Sequence, residues 1–385
     1  GFNTKQDIER YGIAKFNGEA KKSVWQYKEE WERLTKRMGY WIDLENPYIT
    51  YETPYIESLW WIIKEFWKKG LLEEDFKVMP WCTRCQTGLS THEIGQGYKE
   101  VKDTAVYVKF QLKPGQKIGN FTTDAHTYIL SWTTTPWTLP GNVALAVNPE
   151  LEYTYTRASR KFGGDAGKKP YYIFAQSLTQ RLSDKLGSFM PPHGFIRGSD
   201  LVGAQYEPLF DIPELKTDTS YRVYPADFVS ADEGTGVVHT AVMYGEDDYR
   251  LGAKVGLPKF HSVDEGGRFI ESFGDKLRGQ YVKNKETEDI LLSALKEKHA
   301  LIITESYEHD YPHCWRCSTP LLYYARKGWW VKTTKVKDKL LKNNETINWI
   351  PEHTKHGRFG EFLRDVRDWA FSRERYWGTP LPIWK

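Results

Sequence analysis

The β-rich part of this chain is organised around one turn, Trp132-Thr133-Thr134-Thr135-Pro136-Trp137-Thr138-Leu139-Pro140-Gly141-Asn142. The segments before and after it, Thr127–Trp132 and Val143–Val147, are rich in β-branched and aromatic residues and are predicted to be strands. The two prolines stiffen the turn and remove backbone donors, and the threonines supply hydroxyls that both donate and accept. Because a hydroxyl row is more often structural than catalytic, the turn alone does not establish a site.

The strand pattern continues on both sides of this turn, and short helices interrupt it. Further strands are predicted at Thr104–Leu112 and Tyr171–Ala175. Helices are predicted at Leu178–Leu186, Asp247–Val255 and Glu286–Lys298. Residues 161–169, which contain lysines and glycines, are predicted to form an exposed loop.

The first hundred residues are predicted to be mainly helical. In one helix, apolar side chains recur at alternating steps of three and four residues, at Val24, Tyr27, Trp31, Leu34 and Met38. In a second helix, Thr53 suits the N-terminal cap, Pro54 the first helical position and Gly70 the end. Its apolar stripe is Ile56, Leu59, Trp60, Ile63 and Trp67. Both stripes are predicted to pack into a core.

Two cysteine pairs of identical spacing bracket the β-rich part of the chain. They are Cys82-Thr83-Arg84-Cys85 and Cys314-Trp315-Arg316-Cys317, and they contain all four cysteines of the sequence. Four thiolates at this spacing can close a tetrahedral shell around Zn²⁺, and a closed shell is structural rather than catalytic. The alternative is two unrelated buried or redox pairs. A metal would tie together the two chain crossings at the root of an inserted β-rich module.

A second segment contains a histidine and a group of acidic residues. Gly234-Thr235-Gly236-Val237-Val238-His239 is predicted to be a strand that begins at a glycine turn, and Tyr244-Gly245-Glu246-Asp247-Asp248-Tyr249 is predicted to begin a helix. Acidic residues in a first helical turn are ordinary caps and dipole partners. The glycines lack the third glycine and the acidic partner of a dinucleotide-binding fingerprint, which excludes that kind of cofactor site here.

Composition restricts the class of protein without identifying a partner. The chain has 385 residues, enough for two or three domains, and its formal net charge of +3 is too small to indicate nucleic acid by itself. No apolar run is long enough to cross a bilayer, and the N-terminus has no signal-peptide features. We therefore expect a cytoplasmic protein without membrane or DNA partners, and we expect this sequence to be a piece of a longer chain.

Taken together, these motifs resemble the isoleucyl-tRNA synthetases over essentially the whole chain. The resemblance also includes Tyr55-Ile56-Glu57-Ser58-Leu59-Trp60-Trp61, Asp368-Trp369-Ala370-Phe371-Ser372-Arg373 and Trp377-Gly378-Thr379-Pro380-Leu381-Pro382. Three threonines before Pro136 favour the isoleucyl branch, since the valyl and leucyl enzymes typically have Thr-Thr-Arg-Pro there. The chain departs from the family after Ala241, where Val242 stands in place of the usual proline and is followed by Met243.

The resemblance implies an α/β (α+β) fold with a β-barrel-like editing domain inserted into parts of a class I Rossmann catalytic domain, and a zinc-knuckle junction. It places a helical part of the catalytic domain and the first knuckle at 1–97, the editing domain at 98–308, and the second knuckle with the return to the catalytic domain at 309–385. The His-Ile-Gly-His and Lys-Met-Ser-Lys-Ser signatures are absent. The chain is therefore not expected to aminoacylate, and ATP and Mg²⁺ are expected only in the full-length ligase.

The family's chemistry also implies site residues. Valine differs from isoleucine by one methylene, which is worth about 1–3 kcal/mol in a binding pocket, and these synthetases are the standard example of that limit. The resemblance implies hydrolysis of valine misattached to tRNA(Ile). The catalytic residues are expected to be Asp248, which would hold the α-ammonium, Thr133, Thr134 and Thr135, which would position the terminal adenosine and water, and His239, which would refuse the larger side chain.

Substrate-binding residues and partners follow from the same resemblance. Trp137, Thr138 and Asn142 are expected to bind the terminal adenosine or the amino acid, and Trp377 is expected to border the isoleucine pocket of the catalytic domain. The expected partner is the acceptor end of tRNA(Ile) carrying valine, and the chain is expected to be a monomer with one structural Zn²⁺. Two alternatives remain open: a non-catalytic, zinc-stapled tRNA-binding module, and an aminoacylating enzyme with divergent signatures.

Overall fold

The computed structural model describes residues 1–2, 4–157, 170–187, 189 and 191–384; the predicted loop at 161–169 lies outside them. The helices are α1 (Lys5–Tyr11), α2 (Ile13–Trp25), α3 (Lys28–Arg37), α4 (Thr53–Lys68), α5 (Thr91–Gly95), α6 (Thr179–Leu186), α7 (Gly198–Leu201), α8 (Glu246–Val255), α9 (Gly274–Leu277), α10 (Lys285–Glu297), α11 (Lys337–Glu345) and α12 (Arg358–Arg364). Short 3₁₀ helices form at Pro136–Gly141, Gln176–Leu178, Pro213–Leu215, Glu271–Phe273, Thr333–Val336 and Glu352–Thr354.

The strands are β1 (Leu72–Cys82), β2 (Thr87–Gly88), β3 (Tyr98–Gln111), β4 (Lys117–Ile118), β5 (Phe121–Thr122), β6 (Thr127–Thr133), β7 (Ala144–Val147), β8 (Glu152–Arg157), β9 (Tyr171–Ala175), β10 (Gly194–Arg197), β11 (Arg222–Pro225), β12 (Val237–Thr240), β13 (Leu301–Pro312), β14 (Leu322–Val331) and β15 (Trp369–Ala370). The strands and helices predicted between Thr104 and Lys298 are confirmed, most of them to within one or two residues at each end.

The chain divides into two compact units, which we describe separately. The first unit is Gly1–Lys77, Arg84–Gly88 and Arg326–Lys385. The second unit is Val78–Thr83 and Leu89–Ala325, so it contains the whole of 98–308 and extends beyond that range on both sides. None of the helices in the described chain combines the length and apolar character that a membrane span requires.

In the first unit, the prediction of one continuous helix through Val24 and Met38 is wrong, and so is its predicted burial. Val24 lies on α2, Trp31 and Leu34 lie on α3, and Tyr27 and Met38 flank α3 as its N-cap and C-cap residues. Trp31 is 69% exposed and Met38 is 67% exposed, so the prediction that this stripe packs into a core is wrong. A periodic stripe shows that side chains share one face of a helix, but it does not show what covers that face.

The predicted ends of helix α4 agree with the structure more closely than its predicted burial does. The predicted cap at Thr53 is wrong by one residue, because Glu52 is the N-cap and Thr53 is the first helical residue; Pro54 lies in the first turn, and Gly70 follows the end with φ +63. Only Ile63 of its apolar stripe is buried. In the same unit, the last residues of β14 pair antiparallel with β15, Trp330 with Ala370 and Val331 with Trp369.

The second unit is built on two sheets that share one hydrophobic core. The larger has six strands in the order β10-β8-β9-β6-β3-β13, and the smaller has three in the order β11-β7-β12. Pairing is antiparallel except between β6 and β9 and between β7 and β11. Fully buried side chains from both sheets, among them Ile129, Ile173, Leu145 and Val223, belong to one apolar cluster that also includes Leu182 of α6.

The expected barrel-like form requires a correction. Within the described residues the strands form open sheets and no closed barrel, because the two end strands of the six-stranded sheet do not pair with each other. Strand β13 pairs along its length with β3, and β10 pairs with β8. Alternating strand patterns predict sheets, but closure depends on which strands meet at the edges, and that is a long-range property.

The predicted glycine turn before β12 is confirmed and supports a first prediction. Gly234 and Gly236 have φ +67 and +72, and a Cβ on Gly236 would lie 2.3 Å from the Cβ of Ala175. Left-handed backbone and overpacking each cost a side chain free energy, so we expect Gly236→Ala to lower the free energy of unfolding by about 2–4 kcal/mol in urea titrations.

A matched variant separates the two causes. Gly256 has φ +74, and a Cβ there would have no atom within 4 Å. Gly256→Ala therefore carries the backbone cost alone, and we expect it to lose about 1–2 kcal/mol. Equal losses in the two variants would show that the close approach to Ala175 contributes nothing.

Candidate active site

The threonine turn forms a hydrogen-bonded row of hydroxyl groups. Thr133, the last residue of β6, accepts a hydrogen bond from the backbone N–H of Thr135 at 3.1 Å. The hydroxyl oxygens of Thr133 and Thr135 are 3.1 Å apart, and those of Thr135 and Thr138 are 3.4 Å apart. The turn continues as the 3₁₀ helix Pro136–Gly141, in which Thr138 donates its hydroxyl proton to the carbonyl of Thr135 at 2.8 Å.

His239 extends this row from the neighbouring sheet. It lies on β12, and its Nε2 is 3.0 Å from the hydroxyl of Thr138. Since the Thr138 hydroxyl already donates to Thr135, its oxygen is the acceptor here, and His239 carries its proton on Nε2. The other nitrogen, Nδ1, is buried and has no hydrogen-bond partner among the described residues. The site therefore presents an unused acceptor.

Burial keeps the His239 ring neutral. The side chain is 7% exposed, and desolvation lowers the pKa of His239 to about 4. A ring with this pKa is a weak base at neutral pH, so it can accept a hydrogen bond and occupy volume but will hold a proton poorly.

The low pKa of His239 predicts how stability depends on pH. In the unfolded chain His239 binds a proton near pH 6.5, whereas in the folded chain it does so only near pH 4. Protonation therefore favours the unfolded chain, and the free energy of unfolding falls as pH drops through that interval. We expect His239→Gln to remove up to roughly 3 kcal/mol of this loss, measured by urea unfolding at a series of pH values. His92→Gln, which changes an exposed histidine, is the control; the same change in pH slope for both variants would contradict the assignment.

Asp248 stands in the first turn of α8 and folds back over the start of the helix. Its Oδ2 accepts a hydrogen bond from the backbone N–H of Ala241 at 3.0 Å. Gly245 is the N-cap residue, and a Cβ there would lie 2.9 Å from Asp248 Oδ2, so glycine leaves space for the carboxylate. Burial raises the pKa of Asp248 to about 7. A cation that binds beside a poorly solvated carboxylate of this kind stabilises its ionised form.

The structure brings together most, but not all, of the site residues expected from the sequence. Thr133, Thr135, Thr138 and His239 form one continuous row, and Asp248 is tied to Ala241, two residues beyond His239. Thr134 is partly buried next to them.

The three other residues expected to contact substrate, Trp137, Asn142 and Trp377, lie in different surroundings. Trp137 is buried, and its Nε1 has no hydrogen-bond partner in the described chain. Asn142 donates to the carbonyl of Ala144 at 2.9 Å and accepts from the hydroxyl of Tyr206 at 2.7 Å, so both ends of its amide support the turn. Trp377 belongs to the first unit, where it lines a cavity of about 370 Å³.

The four cysteines form a candidate metal centre. The sulfur atoms of Cys82, Cys85, Cys314 and Cys317 all lie within 4.8 Å of one another, and those of Cys82 and Cys317 are 3.5 Å apart. A tetrahedral Zn²⁺ with bonds of about 2.3 Å to sulfur sets its ligands about 3.8 Å apart. The donor set and its spacing therefore fit a structural metal with no open coordination position.

Neither Tyr244 nor the Ala241 backbone was singled out from the sequence. Tyr244 is buried, and its hydroxyl accepts hydrogen bonds from the Ser262–Val263 segment, while the Ala241 N–H provides the only hydrogen bond to the Asp248 carboxylate that the described chain shows. The available indication was the aromatic residue directly before Gly245, at the start of a predicted helix.

Comparison with protein families gives a match over the whole chain. The model of the class I tRNA synthetases for I, L, M and V matches residues 1–385. The chain is 43% identical over 387 residues to the isoleucine–tRNA ligase of Clostridium novyi (strain NT), and 44% identical over 385 residues to that of Bacillus thuringiensis (strain Al Hakam). Each alignment covers 100% of this chain and 35% of the relative, so the chain spans about a third of the curated relatives that it matches.

Solved structures give a weaker likeness. GlLeuRS-CP1 aligns with a TM-score of 0.37 and 16% identity, covering 52% of this chain and 99% of that one. The editing domain of the P. knowlesi cytosolic leucyl-tRNA synthetase aligns with a TM-score of 0.39 and 12% identity, covering 55% of this chain and 99% of that one. The family assignment rests on the sequence matches alone.

Proposed function

Because the chain belongs to the class I tRNA synthetases, we propose that its second unit is the proofreading site of an isoleucine–tRNA ligase and hydrolyses valine misattached to tRNA(Ile). The observation that supports this most is the joining of two sequence segments about 100 residues apart. The Thr133–Thr135–Thr138 hydroxyl row is bonded to His239, and the buried carboxylate of Asp248 is tied to the loop that follows. A site of this kind combines neutral hydrogen-bonding groups with a buried carboxylate.

Each part of the site suits one part of an aminoacyl ester. Asp248 would hold the α-ammonium group, because a charge-assisted hydrogen bond is strong and directional where water is scarce. The hydroxyls of Thr133, Thr134 and Thr135 would bind the terminal ribose and orient water. Thr138 fixes His239, whose Nδ1 would accept one more hydrogen bond. Asn142 is assigned to the support of the turn, on the basis of its two contacts.

The proposed reaction is hydrolysis by an oriented water molecule. The water oxygen attacks the ester carbonyl carbon, the bond from that carbon to the ribose oxygen breaks, and the ribose oxygen leaves with a proton, which gives free valine and tRNA. Holding water against the carbonyl supplies most of the acceleration, because it replaces an encounter by a fixed geometry. His239, with a pKa of about 4, orients and excludes rather than removing a proton.

Selection between valine and isoleucine would be steric. Both amino acids carry the ammonium that Asp248 recognises, so the carboxylate cannot tell them apart. The side chains of His239 and Trp137 are buried and supply fixed volume near the hydroxyl row. A rigid wall can reject one added methylene because overpacking costs about 1–3 kcal/mol.

The remaining expectations form part of the same proposal. The full-length ligase would attach isoleucine to tRNA(Ile) with ATP and Mg²⁺, and Trp377 would border the isoleucine pocket of its catalytic domain. Residues 98–308 would form the editing domain between the catalytic-domain segments 1–97 and 309–385. We propose a structural Zn²⁺ at the four cysteines, a cytoplasmic location, a monomeric chain, and the valine-carrying acceptor end of tRNA(Ile) as the partner.

A non-catalytic tRNA-binding module is the second candidate. It would account for a cysteine cluster that can hold a metal and for an aromatic-rich surface. It would not account for a carboxylate whose burial raises its pKa to about 7, since an anion at a nucleic-acid surface repels phosphate and costs stability.

The test is hydrolysis of valyl-tRNA(Ile) compared with isoleucyl-tRNA(Ile) by this chain, each loaded with a labelled amino acid. We expect release of valine and retention of isoleucine. Folded, metal-loaded chain that binds the tRNA and releases neither amino acid would support the binding module and overturn the proposal.

A further inference from the structure

We propose that Tyr244 is a positioning residue for Asp248, because its hydroxyl anchors the loop 241–245 to the segment Ser262–Val263 and so fixes where the carboxylate lies. The consequence for catalysis rests on the proposed function. The consequence for Asp248 itself does not, since it concerns the chain without substrate.

The hydroxyl of Tyr244 is held from three directions. It accepts hydrogen bonds from the backbone N–H of Ser262 at 2.6 Å, from the Ser262 hydroxyl at 2.8 Å and from the backbone N–H of Val263 at 3.1 Å. The ring is 8% exposed, and burial raises the pKa of Tyr244 to about 12, so the phenol is neutral at physiological pH. Two backbone donors on one side-chain oxygen fix its position in a way that apolar packing alone does not.

The ring of Tyr244 also contacts the threonine turn. It meets Trp137 edge to face, with ring centroids 5.0 Å apart at 70°. A Cβ on Gly141 would lie 3.7 Å from Tyr244 Cε2 and 3.5 Å from the Ser262 hydroxyl, so the end of the turn packs on the same two residues. Tyr244 therefore touches the turn with its ring and the Ser262–Val263 segment with its hydroxyl.

The Tyr244 hydroxyl influences Asp248 through the short loop 241–245. Ala241, whose N–H binds the carboxylate, begins the loop, and Tyr244 directly precedes the N-cap residue Gly245. One end of the loop is held by β12, because Thr240 pairs with Ala144. The other end is held by the Tyr244 hydroxyl, and the Met243 carbonyl just before it accepts a hydrogen bond from the Ala325 N–H at 2.8 Å. Because Tyr244 is the anchor nearest to α8, its loss lets the first turn of α8 move away from Ala241, and the Asp248 carboxylate becomes hydrated.

The alternative is a buried tyrosine that contributes only to stability. The two possibilities differ in one measurable property, the pKa of Asp248, which is raised to about 7 by burial in this loop. Loss of the Ala241 hydrogen bond would raise this pKa, but burial is the larger cause of the shift, so hydration of the carboxylate lowers the pKa towards its ordinary value. A general loss of stability in a folded chain leaves the pKa unchanged.

The experiment is carbonyl ¹³C NMR titration of Asp248 in the full chain without tRNA, in wild type, Tyr244→Phe and Ser262→Ala. We expect Tyr244→Phe to lower the pKa of Asp248 by at least one unit, and Ser262→Ala, which removes one of the three donors, to lower it by less. Tyr224→Phe is the matched control, because its hydroxyl donates to the Thr219 carbonyl at 2.6 Å, away from this loop; it should leave the titration unchanged.

Kinetics then connect the position of the carboxylate to the reaction. With valyl-tRNA(Ile), Tyr244→Phe should reduce kcat/KM about tenfold, and the acid limb of its pH profile should shift downward with the NMR value. A folded Tyr244→Phe chain with an unchanged Asp248 titration overturns the proposal; if that variant does not fold, an unchanged titration in Ser262→Ala does the same. Absence of hydrolysis by wild type overturns the proposed function instead, and the NMR result still decides the role of Tyr244.

Discussion

Replacing Asp248 with asparagine is expected to lower kcat/KM for hydrolysis of valyl-tRNA(Ile) by about 100-fold while the chain stays folded. The amide can still accept the hydrogen bond from the Ala241 N–H, so the start of α8 keeps its geometry. What it loses is the charge that would hold the substrate ammonium. A hydrogen bond between charged groups in a poorly solvated site contributes about 1.5–3 kcal/mol, which corresponds to a factor of roughly 10 to 150.

The neighbouring Asp247 gives a matched control. It lies in the same helical turn and carries the same charge, but its side chain is 55% exposed and pairs with Arg250. Asp247→Asn should leave kcat/KM within about twofold of wild type, since exposed ion pairs contribute little. Equal losses in the two variants would show that net charge, rather than the position of one carboxylate, determines the rate.

The pH dependence provides an independent reading of the same residue. The carboxylate must be ionised to hold an ammonium, and burial places its pKa at about 7, so activity should fall as pH drops through neutrality. This inflection should disappear in Asp248→Asn. An inflection that persists in the variant would assign it to another group.

Stability should change in the opposite direction from activity. The folded pKa of about 7 lies above the ordinary value of 3.8, so the stability that Asp248 contributes is present below pH 3.8 and is lost as pH rises through 7. Above pH 7 we expect Asp248→Asn to be more stable than wild type, by roughly 4 kcal/mol at most. A variant that is less active and more stable is typical of a strained functional site. Urea unfolding at pH 5 and pH 8 measures this difference.

The second large effect concerns the cysteine centre. We expect the purified chain to hold about one Zn²⁺, and Cys314→Ser to lose that metal and lower Tm by about 10 °C or more. Cys314 is buried, and the sulfur cluster brings together residues more than 200 positions apart in the sequence. Closing a long loop through a metal removes entropy from the unfolded chain, so loss of the metal should lower stability.

Substitution with cobalt tests ligation directly. Four sulfur ligands give Co²⁺ a tetrahedral thiolate spectrum, and each cysteine variant should lose it. Arg316→Ala is the control, because this exposed side chain lies between two of the cysteines and provides no ligand. An unchanged Tm in metal-free chain would show that the metal does not stabilise the fold. Absence of a thiolate spectrum in cobalt-treated wild type would show that the four cysteines do not form a metal centre.

The local elements of the second unit and the residue types of the candidate site follow from neighbouring residues in the sequence. Strand β9 begins and ends at the predicted residues, and α8 and α10 begin within one residue of prediction. This success has a local cause, since strand and helix periodicity, glycine turns and caps are properties of neighbouring residues. The threonine turn and the His239 and Asp248 segments were recognised for the same reason, because each motif is continuous in the chain.

How those segments meet, and which of their side chains lose water, depends on long-range packing that the sequence pattern does not show. Thr138 and His239 are 101 residues apart, and their hydrogen bond determines which nitrogen of His239 carries the proton. The raised pKa of Asp248 and the anchoring role of Tyr244 depend on burial by distant segments. The exposure of Trp31, on a stripe with a core-like pattern, has the same origin. Periodicity shows which side chains share a face, whereas long-range packing determines what that face contacts and how much water it loses.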